Sequence, residues 1–98
     1  MPATRFPNGI MAGVRNLTLS PALVAANTTA EQTFPAPGVL ATDLVGIINK
    51  PTAQPGLGIV GMRVPSAGNI AITFSNNTAA GITPTASQVY KVVVFGGV

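Results

Sequence analysis

The chain has 98 residues, of which 47% are hydrophobic and only 7% are charged, with a net charge of +3. An ordinary soluble domain is about 25% charged, so this composition leaves few side chains for polar chemistry. The sequence contains neither cysteine nor histidine, which excludes disulfides and thiolate metal sites and removes the usual general base. The length fits one domain with a single core of modest size.

Residues 1–13 differ from the rest of the chain because their apolar side chains follow no period that one sheet could bury. Proline, glycine and an Asn-Gly turn signal interrupt the segment, and it lacks the hydrophobic stretch of a signal peptide. One interpretation is a frayed terminus; the other is an extended N-terminal arm that orders on a neighbouring subunit. In that arm the predicted partner-binding residues are the apolar anchors Phe6, Ile10 and Met11 and the flanking residues Arg5 and Arg15.

From residue 14 onward, β-branched runs alternate with proline and glycine, which favours short strands over helices. Strands are predicted at 14–19, 28–34 and 44–48 in the first half of the chain. No window of a dozen residues has a convincing helical period. We therefore expect an all-β domain over residues 14–98, preceded by the arm at 1–13.

Two strands in the second half are predicted to form a hairpin. The segment 69–75 alternates, with Ile70 and Ile72 on the side that would be buried. The run 57–64 precedes it, and the Pro-Ser-Ala-Gly sequence at 65–68 has the residues typical of a type I turn. The two strands should therefore be antiparallel neighbours.

The last predicted strand, 88–95, is apolar on both faces. This pattern is typical of a central strand or of a strand that a partner covers. Together with the others it gives about six or seven short strands. The predicted fold is a small antiparallel β-sandwich or barrel.

Few side chains could carry catalysis. Two acids can suffice for glycoside hydrolysis, but Glu31 lies in an alternating stretch and is predicted to face solvent. Asp43 is predicted to be a turn residue that bonds its own backbone at the start of a strand. Lys91 is predicted to be a solvated strand lysine that protects a sheet edge. We expect no enzyme activity, no catalytic residue, no cofactor and no metal site.

Other ligand classes are also disfavoured. The glycines at 56–61 match the pattern G-x-G-x-x-G, but no helix is predicted after them, so the dinucleotide-binding context is missing. The five cationic residues are dispersed, whereas nucleic-acid binders cluster them on one face, so nucleic acid is not an expected partner. No apolar run approaches the 20 residues of a membrane-spanning helix, so we expect no membrane insertion.

The shortage of charge is then a property of the surface. A domain of this size cannot bury all its apolar side chains, and it has few charges to cover the remainder. Large exposed apolar patches usually mark partner surfaces. We expect neighbouring subunits to bury part of this surface, which predicts a homo-oligomer or a larger assembly.

The segment 57–84, together with Tyr90 and the run 92–95, resembles small tailed-bacteriophage virion structural proteins. It is similar to the β-domains of capsid decoration and cement proteins, and also to fibre or tail-associated modules. The upstream segment 24–34 resembles the first half of the same pattern. The resemblance covers most of residues 22–95 and consists of packing and turn residues, so it implies a fold more directly than a site.

The resemblance implies a non-enzymatic structural protein that binds the major capsid protein. It would be made in the bacterial host cytoplasm and would sit on the capsid surface of the virion. A homo-oligomer, with a trimer favoured, would cover the junctions between capsomers. The alternative is a tail- or fibre-associated module that binds another virion protein or a host surface glycan.

Overall fold

A computed structural model of the chain describes residues 3–5 and 11–96. In these two ranges it contains seven strands and no helix, so the all-β prediction is confirmed. The strands are β1 (Ala3–Arg5), β2 (Met11–Leu19), β3 (Thr28–Pro35), β4 (Leu44–Asn49), β5 (Leu57–Ser66), β6 (Asn69–Asn76) and β7 (Gln88–Gly96). No helix of the described ranges is long and apolar enough to cross a membrane.

The strands form two antiparallel sheets that enclose one core. The first sheet has the order β1-β2-β7-β4, and the second sheet has the order β3-β6-β5. Side chains from both sheets belong to a single buried cluster, which makes the fold a small β-sandwich, as predicted. Its largest fully buried apolar members are Val24, Val39, Ile70, Ile72, Phe74, Tyr90 and Val92.

Strand β6 is the centre of the second sheet and follows the predicted alternation. Ile70, Ile72 and Phe74 are all 0% exposed, whereas Thr73 and Ser75 on the opposite side are only partly buried. Burying an Ile or Phe side chain fully contributes about 1.5–3 kcal/mol. These three side chains therefore provide a large share of the core that joins the two sheets.

The predicted hairpin is confirmed, but its turn lies later in the chain than expected. Strand β5 continues to Ser66, and the turn residues are Ala67 and Gly68, with Gly68 at φ +80°. Pro65 falls within β5 at an irregularity of the β5–β6 register. Proline lacks the N–H that a regular ladder would use, so within a strand it is tolerated where the ladder is interrupted. The proline therefore marks a bulge, not the turn.

The N-terminal region joins the first sheet. Strand β2 begins at Met11 instead of residue 14, and residues 11–13 pair with β1 of the same chain. Arg5 and Met11 are opposite each other in that pair. The predicted arm therefore contributes three residues of β1 and the beginning of β2 to the sandwich. Phe6 and Ile10 lie outside the described residues.

Strand β7 is central in the first sheet, between β2 and β4, as its apolar character predicted. Its alternate residues Tyr90, Val92 and Val94 are buried in the core. Lys91 lies on the other side of the same strand and is exposed. The prediction of a solvated strand lysine is therefore confirmed, but a role of Lys91 in protecting a sheet edge is wrong, because β7 has a neighbouring strand on each side.

Candidate functional site

The outer surfaces of the two sheets have opposite character, and this difference defines the candidate site. We call the outer surface of the second sheet the polar outer face. Its exposed or half-buried side chains are mostly hydroxylated or charged, namely Thr29, Glu31, Thr33, Arg63, Thr73 and Ser75. The exception is Val60 of β5, which is 63% exposed at the irregularity between Ile59 and Gly61. Such a surface is mostly polar and suited to contact with water.

An ion pair crosses β6 on the polar outer face. Arg63 on β5 donates from Nε to Oε2 of Glu31 and from Nη2 to Oε1, both at 2.8 Å. The bond from Arg63 holds the pKa of Glu31 below its ordinary value, and the bond to Glu31 raises the pKa of Arg63. The two-bond geometry is the favourable one for a guanidinium and a carboxylate, but exposed pairs contribute little stability. Glu31 faces solvent as predicted; its partner was not identified from the sequence.

We call the outer surface of the first sheet the apolar outer face. Its described apolar side chains come from β2, β4 and β7, and they are Ala12, Val14, Leu44, Val89, Val93 and Phe95. The register places Phe95 between Ala12 and Leu44, and Val93 opposite Val14. Directly opposed residues have Cβ atoms about 4.5–5.5 Å apart, so Ala12, Val14, Leu44, Val93 and Phe95 form one patch, whereas Val89 lies on the other side of Lys91 along β7.

The apolar outer face is open in the folded chain. Leu44 is 65% exposed and Val89 is 47% exposed, although both are large apolar side chains on strands. Phe95 lies against the backbone of Gly46, where a Cβ would overlap its ring. Gly46 is the extra residue at the irregularity between Val45 and Ile47 in the β4–β7 register. The glycine bulge thus seats the aromatic ring on this face.

A row of polar side chains crosses the apolar outer face next to the valines. Asn16 on β2 and Asn49 on β4 are both paired in register with Lys91 on β7, and all three residues are exposed. We call these three residues the donor row, because one ammonium and two amide groups provide N–H donors side by side. Lys91 is the only charged residue among the described residues of this face.

Arg15 makes its contact within the chain. Its Nη1 donates to the carbonyl oxygen of Pro37 at 2.7 Å, in the loop between β3 and β4. The same loop is bonded to the β5–β6 turn, because Ala36 N–H donates to the Gly68 carbonyl at 2.8 Å and Gly68 N–H donates to the Val39 carbonyl at 2.7 Å. Arg15 therefore ties β2 to the loop that holds the second sheet's hairpin.

The two carboxylates do not come together as a catalytic pair. Asp43 precedes β4 in the first sheet, whereas Glu31 is on β3 in the second sheet. Asp43 Oδ2 accepts from the Leu40 N–H at 2.9 Å, and the Asp43 N–H donates to the Leu40 carbonyl at 2.9 Å. The predicted local backbone bonding of Asp43 is confirmed. No group of three potential metal ligands occurs among residues 3–5 and 11–96.

A buried asparagine at the end of β6 organises the loop that follows. Asn76 is 1% exposed, and its Nδ2 donates to the carbonyls of Val24 at 3.0 Å and Ala80 at 2.8 Å. Its Oδ1 accepts from Thr78 N–H at 2.9 Å and from Thr78 Oγ1 at 2.7 Å. All hydrogen-bonding positions of this amide are therefore used, as burial requires. The role of Asn76 is structural.

Tyr90, unlike Asn76, is a buried residue whose polar group is not hydrogen-bonded within the described residues. It is fully buried under the first sheet. Burial raises the pKa of Tyr90 above its ordinary value, because the charged form is disfavoured in the core. The ring fills the core, while the hydroxyl adds an uncompensated polar group.

No family model, curated protein or solved structure matches the chain. The functional interpretation therefore rests on the surfaces and side chains described above. The two outer faces are the strongest contrast in the molecule. One carries hydroxyl groups, an ion pair and a single exposed valine, Val60, and the other exposes several apolar side chains beside a row of donors. The apolar outer face with its donor row is therefore the candidate functional site.

Proposed function

We propose that this protein is a non-enzymatic structural protein of a tailed-phage virion that decorates or cements the capsid by binding the major capsid protein. The observation that carries the proposal is the open apolar outer face, where the exposed Leu44 lies beside the half-buried Phe95 and Val93, and the exposed Val89 lies on the other side of Lys91. An exposed apolar patch of this kind is typical of a surface that a partner covers. The phage assignment itself follows the resemblance of residues 57–84.

The size of the face favours binding as an oligomer. Three strands at about 4.8 Å spacing and roughly eight residues at 3.4 Å give an area of about 400 Å². A standard interface buries about 800 Å² on each partner. One copy therefore presents about half of a standard interface. At about 25 cal/mol per Å² of apolar area, the free energy gained by burying it exceeds the cost of association by little. Several linked copies on a repeating shell gain the missing affinity through effective concentration.

The arm hypothesis supplies such a link. The predicted partner-binding residues, Phe6, Ile10 and Met11 with the flanking Arg5 and Arg15, would connect subunits in a homo-oligomer, for which we propose a trimer. A protein that binds only the assembled shell stabilises that shell by mass action. The expected consequence is a capsid that resists heat better when the protein is bound.

The location of the protein on phage particles tests this proposal. Virions of the encoding phage are purified, the protein is quantified by mass spectrometry, and a labelled copy is located by electron microscopy. The proposal predicts many copies per particle, all on the head, and a lower rupture temperature for heads that lack the protein. Particles without the protein would contradict it, and a label confined to the tail would favour the tail-associated alternative.

A further inference from the structure

The apolar outer face and the donor row lie side by side on the same three strands. Lys91 and Val93 are alternate residues of β7, so they share one side of the strand. We propose that this combined surface binds a protein segment in which an Asp or Glu side chain lies beside an apolar side chain. The inference deepens the proposed function and rests on it, since it states the chemistry that the covering protein presents.

The charge balance of the chain indicates that the acid comes from another protein. The sequence has only two carboxylate side chains. Glu31 is bonded to Arg63 on the polar outer face, and Asp43 is bonded to the Leu40 N–H. Among the described residues no carboxylate contacts Lys91. A second copy of this chain would bring the same net positive charge and two acids that are already engaged, so the complementary partner is an acidic surface.

The geometry of β7 sets the spacing of the two partner groups. Alternate residues of a strand are about 6.8 Å apart on the same side. A partner segment in extended form would therefore place its acid at the donor row and an apolar side chain, two residues away, at Val93. Asn16 and Asn49 flank Lys91 in register, so their amides can donate to the same carboxylate.

Neither half of the surface is sufficient alone. An exposed lysine–carboxylate pair contributes little in bulk water, and the apolar patch is small. When apolar side chains exclude water from the neighbouring ion pair, the lower local dielectric strengthens it. The structure therefore predicts binding only when the acid and the apolar group are present together.

A short peptide tests the surface without any virion component. The 15N-labelled full chain is titrated with Ac-Val-Thr-Glu-Thr-Val-NH2, whose Val and Glu side chains lie on one side when the peptide is extended. We expect saturable shifts in the millimolar range at the amides of Asn16, Asn49, Lys91 and Val93. The same peptide with Lys in place of Glu should bind at least tenfold more weakly. Absence of shifts, or shifts on the second sheet, would overturn the proposal.

Matched variants test the role of charge. Lys91→Glu should weaken the Glu peptide at least tenfold and reverse the preference toward the Lys peptide. The control combines Glu31→Arg with Arg63→Glu, which exchanges the ion pair on the polar outer face and keeps the net charge. The control should leave peptide binding unchanged. Thermal unfolding verifies that both variants are folded; if Lys91→Glu is unfolded, Lys91→Gln replaces it and should abolish discrimination between the peptides.

The outcomes separate this inference from the proposed function. Peptide binding at the donor row by a protein that is missing from virions would retain the surface and refute the capsid role. Binding of virion shells that is insensitive to Lys91→Glu, without peptide shifts, would retain the capsid role and overturn the surface. Concentration-dependent shifts of the same amides without peptide would show that a second copy occupies the face, which also overturns it.

Discussion

Asn76 offers the sharpest test of the fold, because it is the only polar residue among the fully buried side chains of the described ranges apart from Tyr90. Replacing it with alanine removes four hydrogen bonds. The Val24 carbonyl keeps the Ile82 N–H at 3.0 Å, and the single proton of the Thr78 hydroxyl, once Asn76 Oδ1 is gone, can be donated to the Ala80 carbonyl at 2.8 Å. The Thr78 N–H loses the acceptor it has in the native protein.

The lost hydrogen bonds set the size of the expected decrease in the free energy of unfolding. Each lost bond costs about 0.5–1.5 kcal/mol net, and the three groups with a remaining partner belong at the lower end of that range. We expect Asn76→Ala to lower the free energy of unfolding by about 2–4 kcal/mol. A domain of this size has about 5–15 kcal/mol in total, and the melting temperature changes by about 4–8 °C per kcal/mol. The loss is therefore large on either scale.

Urea unfolding, monitored by circular dichroism, measures the effect, and two variants serve as comparisons. Asn77→Ala changes the neighbouring exposed asparagine, whose Oδ1 accepts only from Ser75 Oγ at 3.3 Å. It should stay within about 0.5 kcal/mol of the native protein. Asn76→Asp keeps the two acceptor contacts but cannot donate to the Val24 and Ala80 carbonyls, so it should destabilise at least as much as alanine. An Asn76→Ala protein as stable as Asn77→Ala would refute the reasoning.

Tyr90→Phe removes a buried hydroxyl without a partner, so urea unfolding should find it neutral or up to about 1 kcal/mol more stable; a clear loss would reveal a hidden partner. Gly46→Ala should destabilise by about 1 kcal/mol because its Cβ meets the Phe95 ring, and a double-mutant cycle with Phe95→Ala should remove most of that loss. Arg63 lowers the pKa of Glu31, so the stability from this pair is present above the ordinary carboxyl pKa of 4.5 and is lost as the pH falls through the lowered pKa. The melting temperature of Glu31→Gln, measured against pH, should lack this loss on the acid side. Parallel pH profiles for the native protein and the variant would contradict the prediction.

The local patterns of the sequence predicted the strands well. The alternation of Ile70 and Ile72 identified β6, and the apolar run ending at Phe95 identified a central strand. Errors arose where pairing between distant segments decides the outcome. Residues 11–13 have no strand period of their own, but they pair with residues 94–96 of β7. A local pattern cannot show such a partner.

The candidate site was only half visible in the sequence. That β7 is apolar on both faces was evident, but Val14 and Leu44 join the same patch only through the register of three strands. The Glu31–Arg63 pair likewise joins residues 32 positions apart. Asn76 and Asn77 are identical in type and adjacent, and only the folded chain distinguishes the buried one. Long-range pairing, not residue type, carries this information.

The bonds around Arg15 have a mechanical consequence for a protein held at its N-terminal end. Strand β2 is paired along one side with β7, and the guanidinium of its residue Arg15 donates to the Pro37 carbonyl. The loop around Pro37 is bonded in turn to Gly68 at the tip of the β5–β6 hairpin. Tension applied to the start of β2 would therefore reach the loop of the second sheet through Arg15 as well as β7 through the strand ladder.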